Sequence, residues 1–469
     1  MPTLTAHAST QADVRRSLFW LVAAMLVIPP AISIGSYAAA VTLGGPISSN
    51  PIRVMVRVIV GPHASDSWGP MIQALAFAQH HGAGLYDEVF FRLHQKFQYP
   101  PTSLLGLEAL QHFVPVTSST LNRLNAVIFA VNALGCALLL SQVVGRDSTR
   151  SQGSSARLPV LALSFVLAYT FWPTLYGLYL GQIQIWIDAL FTFAVLLWIK
   201  GHRLGSGILT GIACTIKPQL GLLVFWALLW GERDFLLGLA GSLAGIGLVS
   251  VLRYGLANHL NYLDVLSYIS HHGESFHANQ SVNGLMNRLL FLGNNLDWDP
   301  ALFAPYNPVV YGTTLVSALV FTAFPFGIAI RARKSRACVM DLCIATLCFT
   351  LASPIAWEHH YGVTLPMYVI AFGLAVSRTF TVRRTTLLAA LSISFVLVGA
   401  NLQVLDIFSP GALNLLQTPM LLGALPLLFV LLTVASSLRP PRTSGHDRPC
   451  PESATLEGHA HALSRLGTS

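Results

Sequence analysis

A ten-residue stretch, Ser353–Gly362 (SPIAWEHHYG), places a carboxyl group and two adjacent imidazoles between two apolar runs. Ionisable side chains at the lip of a membrane are costly and usually serve a function. Glu358, His359 and His360 are therefore candidates for proton transfer or for binding a phosphate. The simpler alternative is an interfacial turn in which Trp357 anchors the chain among the lipid headgroups.

Three further polar residues interrupt or flank apolar runs elsewhere in the chain. Asp66 could accept a proton from a hydroxyl nucleophile, or it could cap a short helix over residues 67–80. Lys217 interrupts the apolar stretch 204–231, where it could stabilise a departing phosphate or extend its ammonium to the membrane surface. Gln182 could bind a substrate or pack as an amide between helices. Only the joint placement of these groups decides between the alternatives.

The composition indicates the class of protein that positions these groups. The chain is 54% hydrophobic and 10% charged, with a mean hydropathy of +0.61, whereas soluble domains are roughly 25% charged. Repeated apolar runs close to the ~20 residues that cross a bilayer predict an all-α polytopic membrane protein. The net charge of +8 comes from Lys and Arg in short loops and gives no sign of nucleic-acid binding. The six cysteines lack a CxxC motif, and we predict no metal site.

The distribution of basic residues predicts the orientation of the chain. Two arginines precede the first helix, 18–43, which is too long for a removed signal peptide, so we expect a cytoplasmic N-terminus. Residues 44–117 and 256–306 then form extracytoplasmic loops, and the tail 438–469 is cytoplasmic and disordered. This orientation requires Lys217 to break its apolar stretch into a pair of helices.

Polar groups from six separate segments then fall on the extracytoplasmic face. A carboxylate, a lysine and paired histidines at one interface suit a reaction on a lipid-borne substrate. The segments are Asp66, Tyr99–Pro101, Gly181–Gln184, Lys217–Gln219, His277–Gly284 and Trp357–His360.

The order of these motifs resembles glycosyltransferase family 87, bacterial membrane enzymes that use polyprenyl-phosphate sugars. The resemblance extends from about residue 18 to residue 437. Gln184 stands where the family often has Asn, and Glu358 stands where Asp is common. The motifs that carry the resemblance are Asp66, G-x-x-L-Y (Gly82–Tyr86), Y-P-P (Tyr99–Pro101), G-Q-x-Q (Gly181–Gln184), K-P (Lys217–Pro218), N-Q-S-x-x-G with Arg288 (Asn279–Gly284), and S-P-x-x-W-x-H-H (Ser353–His360).

The resemblance implies a GT-C fold in one domain, 1–437, with roughly 10–13 transmembrane helices and an extracytoplasmic active-site face. It implies transfer of a hexose, with mannose as first candidate, from a polyprenyl-phosphate sugar to a lipid or glycan acceptor with inversion. The other implied partners are membrane lipids; no nucleotide, metal or other cofactor is implied. The implied location is the plasma (inner) membrane, with both termini cytoplasmic.

The resemblance also implies roles for individual residues. Asp66 would be the general base, and His359 or His360 together with Lys217 would contact the phosphate leaving group. Gln182 and Arg288 would position the donor. The remaining residues predicted to bind substrate are Tyr99, Gln184, Asn279, Gln280, Trp357 and Glu358.

Three alternatives to a hexosyltransferase remain open. An arabinofuranosyl- or other pentosyltransferase would use the same kind of donor, and the motifs do not distinguish the sugars. A secondary transporter would explain broken helices and intramembrane charges, although no inverted repeat is visible in the sequence. A lipid-binding scaffold without enzymatic activity would tolerate loss of Asp66.

Overall fold

The described part of the chain is built from helices and turns. The computed structural model describes residues 11–61, 63–144, 157–299, 301–332, 334–377, 380 and 382–439. These residues contain no β-strand, and Asn279 and Trp357 form an isolated antiparallel bridge. The prediction of an all-α fold is confirmed. The disordered tail that we predicted lies outside the described residues, apart from its first two positions.

The first nine α-helices of the described chain supply the Asp66 and glutamine segments. They are α1 (Gln11–Thr42), α2 (Pro51–Val60), α3 (Trp68–His80), α4 (Leu104–Gln111), α5 (Ser118–Val144), α6 (Arg157–Thr170), α7 (Trp172–Leu180), α8 (Gln184–Ile199) and α9 (Arg203–Cys214). A π-helix over Asp87–Arg92 and a 3-10 turn over Pro101–Ser103 lie between α3 and α4.

The remaining nine α-helices of the described chain supply the histidine turn and its supports. They are α10 (Leu223–Trp230), α11 (Arg233–Tyr254), α12 (Leu256–His272), α13 (Val282–Leu289), α14 (Pro308–Arg331), α15 (Val339–Leu351), α16 (Thr364–Ser377), α17 (Arg384–Gly399) and α18 (Pro419–Leu438). Short 3-10 turns cover Pro218–Leu222, Glu358–Val363, Gln403–Phe408 and Ala412–Gln417.

Several helices have the length and surface of membrane spans. Among the described residues, five are long and apolar enough to cross a bilayer: parts of α1 and α5, and the whole of α11, α14 and α18. Large apolar side chains point outward on them, with Leu252 of α11 78% exposed and Leu319 of α14 69% exposed. Such surfaces are stable against lipid and not against water. The chain is therefore a polytopic membrane protein.

Close packing of α9 on α11 fixes the helix that ends near Lys217. A Cβ atom on Gly207 of α9 would clash with the Phe235 carbonyl, and one on Gly238 of α11 would clash with the Leu204 carbonyl. Small residues at such a crossing let the backbones approach closely. The crossing therefore holds α9 in a fixed position.

Breaks in the apolar runs create the turns that carry polar side chains. The run 204–231 is divided, as predicted, because Pro218 lacks an N–H and α9 ends before it, at Cys214. Every residue of α15 is buried, and the chain leaves this central helix at Ser353–Gly362. The histidine turn therefore starts from the core of the protein.

The predicted loops contain more helix than the sequence indicated. Residues 256–306 hold α12 and α13, and the Ser281 hydroxyl caps α13 by accepting from the Gly284 N–H. The helix predicted over 67–80 is present as α3, but Asp66 does not cap it: the N-cap residue is Ser67, without a side-chain cap. The Asp66 side chain therefore does not cap this helix.

Candidate active site

Residues from distant segments line one cavity of about 1290 Å³. Nine of the side chains predicted to form the site are in its wall: Asp66, Tyr99, Gln182, Gln184, Lys217, Trp357, Glu358, His359 and His360. Asp66 and the paired histidines therefore share a cleft, although almost 300 residues separate them in the sequence.

Backbone pairing brings Asp66 to the Gly181–Gln184 motif. The Ala64 N–H donates to the Tyr179 carbonyl and the Asp66 N–H to the Leu180 carbonyl, both at 3.0 Å. Gly181 ends α7 in the left-handed region with φ 70°, and a Cβ there would clash with the Ala64 carbonyl. This glycine therefore allows the two segments to touch.

A chain of hydrogen bonds holds the Asp66 carboxylate. Gln182 Nε2 donates to Asp66 Oδ2, and Gln182 Oε1 accepts from the Ser67 hydroxyl at 2.5 Å. Ser67 Oγ lies 2.8 Å from the Tyr99 hydroxyl and also accepts from the Ile183 N–H at 3.2 Å. Each amide atom of Gln182 is engaged, so the side chain presents its N–H group to the carboxylate.

The environment of Asp66 makes its carboxylate more basic than a free one. Asp66 is exposed to the cavity, and desolvation by the surrounding protein raises the pKa of its carboxyl group; the Gln182 hydrogen bond and the positive charge of Lys96 oppose that rise only in part. A carboxylate with a raised pKa accepts a proton more readily, which suits a general base.

Lys217 lies in the cavity wall at the break between α9 and α10. Its Nζ atom donates to Gln184 Oε1 at 3.2 Å, and the residue is 9% exposed. The imidazoles of His359 and His360 line the same cavity, with ring centroids 4.7 Å apart and planes at 87°. This part of the cavity offers cationic and N–H groups to an anion.

A carboxylate and aromatic rings complete the wall near the histidine turn. Glu358 Oε2 accepts from the Trp172 indole N–H at 2.9 Å, and the Glu358 N–H donates to the Ala278 carbonyl at 3.0 Å. The ring of Trp357 packs edge-on to Trp298 with centroids 4.9 Å apart. Flat apolar faces beside a hydrogen-bonding carboxylate are suited to a sugar ring.

Asn279 and Gln280 lie behind the cavity wall and not in its lining. Asn279 Oδ1 accepts from the Ala356 N–H at 3.0 Å, and its Nδ2 donates to the Pro354 carbonyl at 3.3 Å. Gln280 donates to the Gln417 carbonyl at 2.8 Å. These amides fasten the backbone of the histidine turn to neighbouring segments.

Arg288 also lies behind the wall, where it is 1% exposed. Its guanidinium donates to the carbonyls of Ser275, Phe276 and Asn279, and to the Thr418 hydroxyl at 3.0 Å. Four acceptors hold this one cation inside the protein. The structure thus places Arg288 as a support for the segment that carries Asn279.

Two ionisable residues near the cavity were missed by the sequence analysis. Lys96 lines it, forms an ion pair with Glu274, and lies 3.9 Å from the centroid of the Trp298 ring. Asp188 is fully buried on α8, one helical turn after Gln184, and accepts from Gln184 Nε2 at 2.8 Å. An Asp inside the apolar run of α8 was a signal that could have revealed it.

A second, apolar groove of about 810 Å³ adjoins the cavity. Ile183 and Ile216 line both. The other lining residues are contributed by α4, α5, α8, α9 and α11, together with the short turns beside α4 and α9. Among the described residues, no group of three His, Cys, Asp or Glu side chains is placed to hold a metal ion.

Comparison with known proteins gives one family. The sequence profile described as glycosyltransferase family 87 matches residues 97–354, more than half of the 469 residues. No curated protein and no solved structure matches the chain. The matched range includes Gln182 and Lys217, whereas Asp66, His359 and His360 lie outside it. Those three residues nevertheless line the same cavity as Gln182 and Lys217.

Proposed function

The chain belongs to glycosyltransferase family 87, and we propose that it transfers a hexose from a polyprenyl-phosphate sugar to a lipid or glycan acceptor, with inversion. Mannose is the first candidate for the hexose. The family makes the chain a membrane glycosyltransferase, which favours an enzyme over a transporter or a scaffold. The reaction would take place at the extracytoplasmic face of the plasma membrane, with both termini in the cytoplasm.

One observation carries the proposal: a carboxylate, a lysine and two histidines line the same cavity. Asp66 lies in one part of its wall, and Lys217, His359 and His360 lie in another. Inverting transfer needs a base beside the attacking hydroxyl and stabilising groups beside the leaving phosphate. We propose Asp66 for the first role and Lys217 with the histidines for the second.

The proposed reaction is a single displacement. Asp66 takes the proton from the acceptor hydroxyl as that oxygen forms a bond to the anomeric carbon. The bond between the anomeric carbon and the phosphate oxygen breaks, and its electron pair leaves with the polyprenyl phosphate. The phosphate gains negative charge at this step, so donors from Lys217 and the histidines stabilise the transition state more than the bound donor.

The apolar groove supports a lipid-borne donor. It joins the cavity at Ile183 and Ile216, so a hydrocarbon chain in the groove would place a phosphate headgroup near Lys217. Because a polyprenyl chain already lies in lipid, the groove would hold it by close van der Waals packing and not by removing apolar area from water. A nucleotide-sugar donor would gain nothing from this groove.

The other predicted residues divide into two roles. Tyr99, Gln182, Gln184, Trp357 and Glu358 line the cavity and are proposed to contact the sugars or to orient the groups that do. Asn279, Gln280 and Arg288 are proposed to position the histidine turn from behind, because their hydrogen bonds go to backbone and neighbouring side chains. Their contribution to donor binding would thus be indirect.

The test is sugar transfer by the purified chain in lipid nanodiscs. Polyprenyl-phosphate mannose and polyprenyl-phosphate arabinose are offered in parallel with a membrane lipid and glycan extract, and mass spectrometry follows transferred sugar. We expect a hexose product from the first donor that is absent from the Asp66→Asn variant. Transfer from the arabinose donor alone would establish the pentosyltransferase alternative. Transfer from a nucleotide sugar without the lipid carrier would overturn the proposal.

A further inference from the structure

We infer that Asp188, which lies outside the cavity lining, is a positioning residue that holds the Lys217 ammonium toward the leaving phosphate through the Gln184 side chain. The inference rests on the proposed function in one respect only: the proposed function identifies the anion that Lys217 binds as the leaving phosphate. Lys217, Gln184 and Asp188 are buried, with exposures of 9%, 2% and 0%.

The three side chains form a continuous relay. Lys217 Nζ donates to Gln184 Oε1 at 3.2 Å, and Gln184 Nε2 donates to Asp188 Oδ1 at 2.8 Å. Gln184 and Asp188 are one turn apart at the start of α8, so the helix itself sets their spacing. The only link between the buried carboxylate and the cavity wall in this relay is one amide.

The donors and acceptors of these three side chains allow only one orientation of the Gln184 amide. An ammonium can only donate and a carboxylate can only accept, so the amide must turn its oxygen to Lys217 and its nitrogen to Asp188. The carboxylate thereby fixes the amide, and the amide fixes one of the three N–H groups of the lysine. The part of the chain that the structure describes gives the Lys217 ammonium no other hydrogen-bond acceptor, so two N–H groups remain for a ligand in the cavity.

Charge gives the relay a second effect. A buried ammonium is costly unless an opposite charge is near, and Asp188 is the carboxylate that interacts electrostatically with Lys217. His359 and His360 would act on Lys217 as like charges if protonated. Asp188 therefore favours the charged lysine that a phosphate requires.

The second carboxylate oxygen connects the relay to the histidine turn. Asp188 Oδ2 is buried without a hydrogen-bond partner among the described residues. It lies against Gly362, where any Cβ atom would clash with this carboxylate. Gly362 belongs to the 3-10 turn that carries His359 and His360. Asp188 is thus packed between the Gln184 amide and the turn that carries the two histidines.

Thr192 provides a matched control for this inference. It is buried on α8 one turn after Asp188 and donates to an amide, Asn132 Oδ1, at 2.7 Å. It does not line the cavity. A Thr192→Val variant therefore removes a buried polar link of the same helix without touching the relay.

The experiment compares Asp188→Asn, Gln184→Met and Thr192→Val in the full chain in nanodiscs, each with and without Lys217→Ala. Asp188→Asn keeps the shape and an acceptor oxygen but loses the charge. We expect Asp188→Asn and Gln184→Met to lower kcat about tenfold with KM changed less than about threefold. In the Lys217→Ala background neither change should lower kcat further. Thr192→Val should leave kcat within about twofold of wild type.

A second readout does not depend on turnover. Polyprenyl phosphate, the product anion, should raise the melting temperature of Asp188→Asn and Gln184→Met less than that of wild type and Thr192→Val. Equal losses of kcat from Asp188→Asn with and without Lys217 would overturn the inference, as would an unchanged kcat. A wild-type chain that binds polyprenyl phosphate but transfers no sugar would instead reject the proposed function.

Discussion

At the Asp66 part of the cavity the Gln182 amide donates to a carboxylate, whereas at the Lys217 part the Gln184 amide oxygen accepts from an ammonium. The two glutamines belong to one motif, Gly181–Gln184, and are two residues apart. A hydrogen bond from the Ser67 hydroxyl fixes the orientation of the Gln182 amide, and a hydrogen bond to the Asp188 carboxylate fixes that of the Gln184 amide.

This difference shows how one short segment can serve two opposite charges. An amide carries a donor and an acceptor, so its orientation is decided by the partner on its far side. The segment lies where α7 ends and α8 begins, and neither glutamine is free to rotate while its partners are in place. Proton acceptance and phosphate binding are thus predicted to be separable by mutation.

The largest effect is expected from Asp66→Asn. This change keeps the shape of the side chain but removes the proton acceptor, so kcat should fall by about 10³-fold. The melting temperature should stay close to that of wild type, because no buried charge is left unpaired. The exposed residue Asp87 in the same predicted loop is the control, and Asp87→Asn should retain full activity. Full activity in Asp66→Asn would remove Asp66 as the base.

Lys217→Ala is expected to have the second-largest effect: kcat should fall by about 10²-fold, and the donor should bind more weakly. The physical reason is loss of an ammonium next to the phosphate that gains charge. Steady-state kinetics with varied donor concentration separates the two effects. Lys200→Ala, at the exposed far end of α8, is the control. Unchanged kinetics in Lys217→Ala would mean that this lysine only reaches toward the membrane surface.

Gln182→Met should change the pH dependence more than the maximal rate. Desolvation by the surrounding protein raises the pKa of Asp66 and the Gln182 hydrogen bond lowers it, so loss of that bond raises the pKa further. The base acts only when ionised, and the rate therefore falls as the pH drops through this pKa. The acid side of the profile should move to higher pH in the variant. A shift to lower pH would contradict the assigned hydrogen bond.

Arg288→Lys is expected to have the smallest effect on catalysis by the folded protein. Lysine cannot reproduce the forked contacts to three carbonyls and Thr418, so the free energy of unfolding should fall by about 1–3 kcal/mol. The KM for the donor should change less than about threefold. Thermal unfolding and donor titration check the two parts separately. A large KM increase without loss of stability would show direct donor contact instead.

The sequence was sufficient for the fold class and for much of the cavity lining. Long apolar runs have few stable forms other than helices, and costly polar residues such as Lys217 and His359 stand out within them. The break at Pro218 could be predicted because proline chemistry is local. The bounds of α12 and α13 could not, because their burial depends on partners far along the chain.

Roles that depend on side-chain direction escaped the sequence analysis. Asn279, Gln280 and Arg288 sit in a recognisable motif, yet their hydrogen bonds turn them behind the wall. Lys96 was passed over because its ion pair with Glu274 joins segments almost 180 residues apart. Asp188 stands out in the apolar run of α8, but its hydrogen bond to Gln184 and its contact with Gly362 become apparent only in three dimensions.

Azide rescue tests the central claim, that Asp66 removes a proton while Lys217 serves the phosphate. Azide attacks the anomeric carbon without needing a base, so it bypasses Asp66 but not the leaving group. With polyprenyl-phosphate mannose and azide, we predict that Asp66→Asn forms an inverted glycosyl azide at a rate well above its transfer to the natural acceptor. Lys217→Ala should gain no comparable increase. Azide products from Lys217→Ala but none from Asp66→Asn would contradict the account.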